Sequence, residues 1–283
     1  MQRLMKSILA ASAAVGLVLP TVSAIPEAHS APMSNRVKIV YATPAEPAYR
    51  PMYEMLKKRR ILEKFRNLLS IFRLPDRLTL RVSDCEGDIN ARYDHDTHIV
   101  TVCYEYIEDF QRRAPKETTT GVTPEDAVIG PVVEVFLHEI SHAVLDMLKI
   151  PILGRWEDAA DQLATYIMLG LGKDFAKRTV LGAAWMRAQY AKEETPGKAD
   201  YSDAHSLDAQ RFYNCLCLAY GSDPELFAAV VEKGYLPRER AEGCTDEYQQ
   251  VEYAARKLLS PHVDKDKLKK ARATGWFRPA ANE

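Results

Sequence analysis

The stretch Val128-Ile129-Gly130-Pro131-Val132-Val133-Glu134-Val135-Phe136-Leu137-His138-Glu139-Ile140-Ser141-His142-Ala143-Val144-Leu145-Asp146-Met147-Leu148 decides how this chain is read. It is strongly apolar, but Glu134, His138, Glu139 and His142 interrupt it, too often for a membrane span, so it suits a buried core helix. His138-Glu139-Ile140-Ser141-His142 is an HExxH motif. On a helix, positions four apart share a face, so both imidazoles can reach one metal ion. Glu139, beside the first of them, leans toward the same cavity, where it can hold a water on the metal. A helix with two surface histidines would carry polar flanks, whereas here Val135-Phe136-Leu137 and Ala143-Val144 are uncharged. Burying two His and a Glu without a partner is costly, and a metal removes that cost.

Catalytic zinc keeps three protein ligands and one open position. A short HExxHxxGxxH form would need Gly at 145 and His at 148; the sequence has Leu145 and Leu148. Trp156-Glu157-Asp158-Ala159-Ala160-Asp161 offers another solution, because Glu157 and Asp161 share a helix face. HExxH followed by ExxxD resembles the Glu-zincin peptidases, of which thermolysin is the familiar member. The resemblance implies one Zn²⁺ per chain, held by His138, His142 and Glu157. It implies Glu139 as general base, Asp161 as acceptor of the free N–H of His138, and a peptide or protein as substrate. Likeness to thermolysin ends at these motifs. More of the chain is similar to a family of exported bacterial proteins described only as metallopeptidases. The similarity runs through the Cys85–Cys103 region ending Val102-Cys103-Tyr104-Glu105, the metal motifs, Gln210-Arg211-Phe212-Tyr213-Asn214 and Gly221-Ser222-Asp223-Pro224.

His205 lies in Asp203-Ala204-His205-Ser206-Leu207-Asp208, just before an apolar helix. In thermolysin-like enzymes a downstream His, paired with an Asp, stabilises the oxyanion. The resemblance allows His205 that role, with Asp203 or Asp208 to orient it. The alternative is a helix-start residue with local hydrogen bonds. Arg211 and Tyr213 are weaker candidates, since both can simply brace helix packing.

Outward from the motifs, the chain is an ordinary globular protein of 283 residues, 47% hydrophobic, with net charge −1. That charge gives no pull toward nucleic acid or anionic membranes. The basic run Lys57-Lys58-Arg59-Arg60 therefore reads as a solvated helix face. Arg3 and Lys6, the apolar run Ile8 to Leu19 and Val22-Ser23-Ala24 have the order of a signal peptide over residues 1–24, followed by a flexible leader over 25–35. The expectation is an exported protein, periplasmic or secreted, with no stable membrane insertion after signal removal. Export permits disulfides. Five cysteines give two bridges and one free thiol. The expected pairs are Cys85–Cys103, flanking a hairpin, and Cys217–Cys244. Cys215 points to another helix face and stays free.

Val37 to Tyr41, Leu78 to Val82, Ala91 to Tyr93 and His98 to Cys103 read as strands, the last two joined by the turn Asp94-His95-Asp96-Thr97. The His and Asp residues there could be imagined as ligands, but hairpin tips select Asp for backbone reasons. Pro51 to Phe72 has helical spacing. After residue 120 the spacing predicts helices over 124–147, 157–171, 175–191, 206–220, 224–233 and 246–259. The expected fold is α+β and zincin-like. A small N-terminal sheet (residues 36–120) packs on a mostly helical part (121–283) that carries the metal, both within one catalytic domain. The strand His98 to Cys103 is expected at the sheet edge, where an extended peptide could pair. No amine-anchoring motif is visible, which favours an endopeptidase. The alternative function is a zinc-binding, non-cleaving relative that binds peptides or partners; the intact Glu139 argues against it. Substrate, cleavage specificity and oligomeric state stay open.

Overall fold

In the sequence, Leu78-Thr79-Leu80-Arg81-Val82-Ser83 alternates apolar and polar, and its side chains alternate buried and half-buried. Such a strand fixes the register of its neighbours, because a one-residue slip would turn Leu78, Leu80 and Val82 out of the core. A computed structural model describes residues 36–274, with side chains as far as residue 269. The expected signal peptide and leader lie outside the described residues.

In chain order the elements are β1 (Val37–Tyr41), α1 (Arg50–Lys58), α2 (Ile61–Leu69), β2 (Leu78–Ser83), β3 (Ala91–Asp94), β4 (Ile99–Cys103) and α3 (Tyr104–Arg113). Then follow α4 (Asp126–Met147), α5 (Trp156–Leu169), α6 (Lys173–Glu193), α7 (Lys198–Tyr201), α8 (Asp208–Ser222), α9 (Ala228–Glu232), α10 (Arg238–Ala241), α11 (Cys244–Leu259) and α12 (Lys265–Thr274). The architecture is α+β, with one mixed sheet of order β1-β2-β4-β3. β1, β2 and β4 run parallel, and β3 pairs antiparallel to β4.

This order corrects the expected edge. β4 lies between β2 and β3, and the outer strand is β3. The reason is visible in the side chains. Val100-Thr101-Val102-Cys103 is buried on both faces, the mark of a central strand, whereas β3 carries exposed Arg92 and Asp94. Cys103 N–H donates to the carbonyl of Asn90 at 3.1 Å. By antiparallel alternation, the backbone groups of Ala91 and Tyr93 then face away from β4, on the free side. The hairpin turn is held by Asp94, whose Oδ1 accepts from the N–H groups of Asp96 and Thr97.

The helix expected over 51–72 is two helices. A straight helix burying Met52 and Leu56 would carry its stripe on to Arg59, Glu63 and Asn67, all polar. Arg60 instead takes a left-handed conformation (φ 53°, ψ 47°), and the new helix buries Leu62, Phe65, Leu68 and Leu69. The basic run at the break is exposed. The helix α3 was not among those expected. Its buried Glu105 and Asp109 obscure the apolar period; Asp109 is paired through both oxygens, and Glu105 through Oε1 while its buried Oε2 has no partner. Glu105 accepts from the N–H groups of Cys85 and Gly87, and Asp109 from Arg113 and the Tyr190 hydroxyl. The helix expected over 224–233 shrinks to α9.

The helix α4 packs on β3, β4 and α3, and also on α5 and α6. Phe136 and Leu137 are fully buried, each worth roughly 2–3 kcal/mol of burial. Phe136 stacks on Phe65 of α2 with ring centroids 4.8 Å apart. The crossing of α4 with α6 is glycine to glycine. A Cβ on Gly182 would lie 2.0 Å from the carbonyl oxygen of Asp126, and one on Gly130 would lie 2.5 Å from Ala183 N. Two cystines clip the chain: Cys85–Cys103 ties the end of β4 to the loop after β2, and Cys217–Cys244 ties α8 to α11. Cys215 is free and buried. Paired cystines of this kind are typical of exported proteins.

Candidate metal centre

His138 and His142 sit one turn apart on α4, and Glu157 opens α5, which packs against α4. The intervening chain is short enough that one helical hairpin brings all three side chains to one point. The two Nε2 atoms are 3.1 Å apart, and each lies 3.0 Å from Glu157 Oε2. Ligand bonds of about 2.0–2.1 Å in a tetrahedron place donor atoms roughly 3.3 Å apart, so the spacing suits a four-coordinate ion. The donor set points the same way. Two imidazoles and a carboxylate, all with little solvent, converge their acceptor atoms on one spot. Among the described residues, the turn residues Asp94, His95, Asp96 and His98 join no such group; His98 stacks on Tyr93 instead.

Each ring has its own support. His138 Nδ1–H donates to Asp161 Oδ1 at 2.7 Å, one turn beyond Glu157 on α5. Trp156 stacks on His142 with centroids 5.3 Å apart. His142 Nδ1 is buried and has no protein partner. Burial alone would lower His138, but the Asp161 and Glu157 carboxylates outweigh it and raise it to about 9. Asp161, which burial alone would raise, is held well below the usual carboxylate range by Arg211 and His138. Glu157 is likewise held low, burial being overcome by hydrogen bonds from His138, His142 and His205.

Glu139 is buried beside His138, and burial pushes its carboxyl above the ordinary range against the pull of both imidazoles. The backbone N–H of Tyr93, on the free side of β3, faces this carboxyl and partly offsets the rise. His205, distant in sequence, comes to the same place. Its Nε2 lies 2.9 Å from Glu157 Oε2, and its Nδ1 lies 3.1 Å from Asp203 Oδ1. Asp203 is thus its partner, while Asp208 pairs with Arg187. Tyr213 stands apart, on the wall of an adjoining cleft of about 430 Å³ shared with Arg155, Asp158, Ser206, Gln210 and Asn214.

Three features were not read from the sequence. They are the stacking of Trp156 on His142, the Tyr93 N–H at Glu139 and the grip of Arg211 on Asp161, with Nε to Oδ2 and Nη2 to Oδ1 both 2.7 Å. Only the third left a trace there, in Arg211 standing within a matched motif. A metal ion held by two imidazoles and a carboxylate, with a second carboxylate beside it, could polarise a carbonyl and activate water. A family model described as "Putative metallopeptidase" matches residues 41–259 of the chain. No curated protein and no solved structure matches it.

Proposed function

The chain belongs to this metallopeptidase family, and from that premise we propose that it is an exported zinc-dependent peptidase of the Glu-zincin type. The observation that carries the reading is the convergence of His138, His142 and Glu157 within 3.1 Å, next to a buried Glu139. Zinc bound by these three side chains would supply Lewis acidity toward the scissile carbonyl and a water of lowered pKa.

The chain's own groups supply the rest. Glu139 takes the proton of the attacking water and passes it to the leaving amine. A carboxyl raised by burial suits both halves of that task, since it accepts and then gives up a proton readily. His205, held by Asp203, donates a hydrogen bond to the oxygen on which negative charge develops. The free side of β3, with the Tyr93 backbone beside Glu139, is where an extended peptide would add a strand. The sequence carries no visible amine-anchoring motif, which favours an endopeptidase. Export is supported by the two cystines and by the signal-like order of residues 1–24.

The test is Glu139→Gln, which keeps size and removes the base. The expected variant retains one zinc per chain and loses peptide hydrolysis. Hydrolysis of a peptide library at the wild-type rate would reject Glu139 as base. A wild-type chain that binds zinc and peptides but cuts none of the library would favour the non-cleaving alternative.

A further inference from the structure

Behind the metal centre lies a chain of buried charges that the proposed chemistry does not use. Asp161 Oδ1 accepts from both His138 Nδ1 and Arg211 Nη2, and its Oδ2 accepts from Arg211 Nε, each at 2.7 Å. The carboxylate plane is therefore fixed by a two-pronged partner, and a third hydrogen bond leaves it toward His138. Without the fork, the carboxylate would turn about a soft torsion and carry the imidazole with it. Arg211 is itself anchored at one remove. Arg187 of α6, also buried, donates Nε and Nη2 to Glu134 Oε1 and Nη1 to Asp208 Oδ1. Glu134 stands one turn before His138 on α4, and Asp208 one turn before Arg211 on α8. Two rungs, Glu134–Arg187–Asp208 and His138–Asp161–Arg211, thus link the same two helices, α4 and α8. The outer rung sets the axial register at which the inner rung can meet.

Packing alone does not call for such a device. A buried ion pair can be replaced by apolar side chains with little loss of stability, because desolvation offsets its attraction. What apolar side chains cannot do is orient a carboxylate.

We propose that Arg211 is a positioning residue of the metal centre: its fork on Asp161 fixes the ring of His138 and thereby sets the affinity for the ion. The proposal rests on His138, His142 and Glu157 being the zinc ligands. It goes beyond them to a residue on a third helix, α8, which acts on the centre through Asp161.

A double-mutant cycle tests it, with zinc dissociation constants measured by competition with a chromogenic chelator on the full chain. Arg211→Lys keeps the charge and loses the planar fork. It should weaken zinc binding by about tenfold or more, within the 10–100-fold range typical of groups that orient a ligand. Asp161→Asn should do the same. The double variant should bind zinc no more weakly than Asp161→Asn alone, because Arg211 acts through Asp161. Arg211→Gln, smaller and neutral, repeats the measurement should the lysine variant lose its circular-dichroism signature. Wild-type affinity in a folded Arg211 variant, or losses that simply add in the double variant, would overturn the proposal and make Arg211 a general brace. His142→Ala separates the premise: it should abolish tight binding. If it binds zinc like the wild type, the ligand assignment fails and the proposal falls with it. If it loses zinc while Arg211→Lys does not, only the positioning role is rejected.

Discussion

Glu157 and Asp158 are adjacent acids with opposite surroundings. Glu157 Oε2 faces His138, His142 and His205 at 2.9–3.0 Å, whereas Asp158 turns to Arg155 and Ser206 at 2.8 Å. Glu157→Ala should therefore strip most of the zinc, and Asp158→Ala should keep it, losing only a half-exposed ion pair worth about 1 kcal/mol or less. Metal analysis per chain decides, and equal retention in the two variants would reject Glu157 as third ligand. His205 makes the second case. Its ring reaches the rim of the centre and is held by Asp203, whose Oδ1 accepts from the backbone N–H of His205 and lies 3.1 Å from its Nδ1, contacts that span only two residues. His205→Ala should leave zinc content unchanged and lower kcat by roughly 10²–10³, the loss typical of one oxyanion donor. An unchanged kcat would leave His205 as a residue that shapes the start of α8. Spacing made four of these positions legible in advance. Four-residue offsets at 138/142 and 157/161 are a local rule of helices. Arg211 and Trp156 obey no such rule, since each meets its partner across separate elements, Arg211 from 50 residues away.

At the scale of elements, glycine rather than side-chain chemistry governs how close α4 lies to α6. With the carbonyl of Asp126 only 2.0 Å from where a Gly182 Cβ would stand, one methyl group has no room. Gly182→Ala should destabilise the fold by about 1–3 kcal/mol or more, the usual cost of overpacking, seen as a fall in the urea midpoint. A midpoint equal to wild type would mean the two helices part without penalty. Neither this crossing nor the strand order could be read from periodicity. A glycine inside an apolar helix announces only a lower propensity, not the neighbour that requires it. β3 and β4 both read as strands, and only the burial of four residues of β4 in the fold shows it to be an inner strand. The break at Arg59-Arg60 was equally local, yet it shows only when the stripe is followed across it.

For the whole molecule, the cysteines report how the helical part closes. Cys215 lies two residues from Cys217 but faces Thr165 and the buried charges, and burial pushes its thiol up to about 12. At pH 8 the folded chain should hold only about one part in 10⁴ of thiolate. A disulfide-exchange reagent should titrate no thiol in the native protein, one after unfolding without reductant, and all five after reduction. A native, reactive thiol would mean that α8 opens or that Cys215 pairs elsewhere. The sign of the linkage is fixed as well. A thiol raised on folding costs nothing below its unfolded value of about 8.5, and stability falls as pH climbs beyond it.

The hairpin of α4 and α5 also has a meaning in time. His138 and Glu157 are separated by 19 positions, and His142 by fewer, so closing that loop is cheap and fast. A chain made from its amino end delivers these three side chains together, well before residues 205 and 211 exist. The capacity to hold an ion can then arrive early, while the groups that orient the ligand and answer the developing charge arrive last. A chain not yet grown to residue 205 would lack the donor whose loss is expected to lower kcat by roughly 10²–10³.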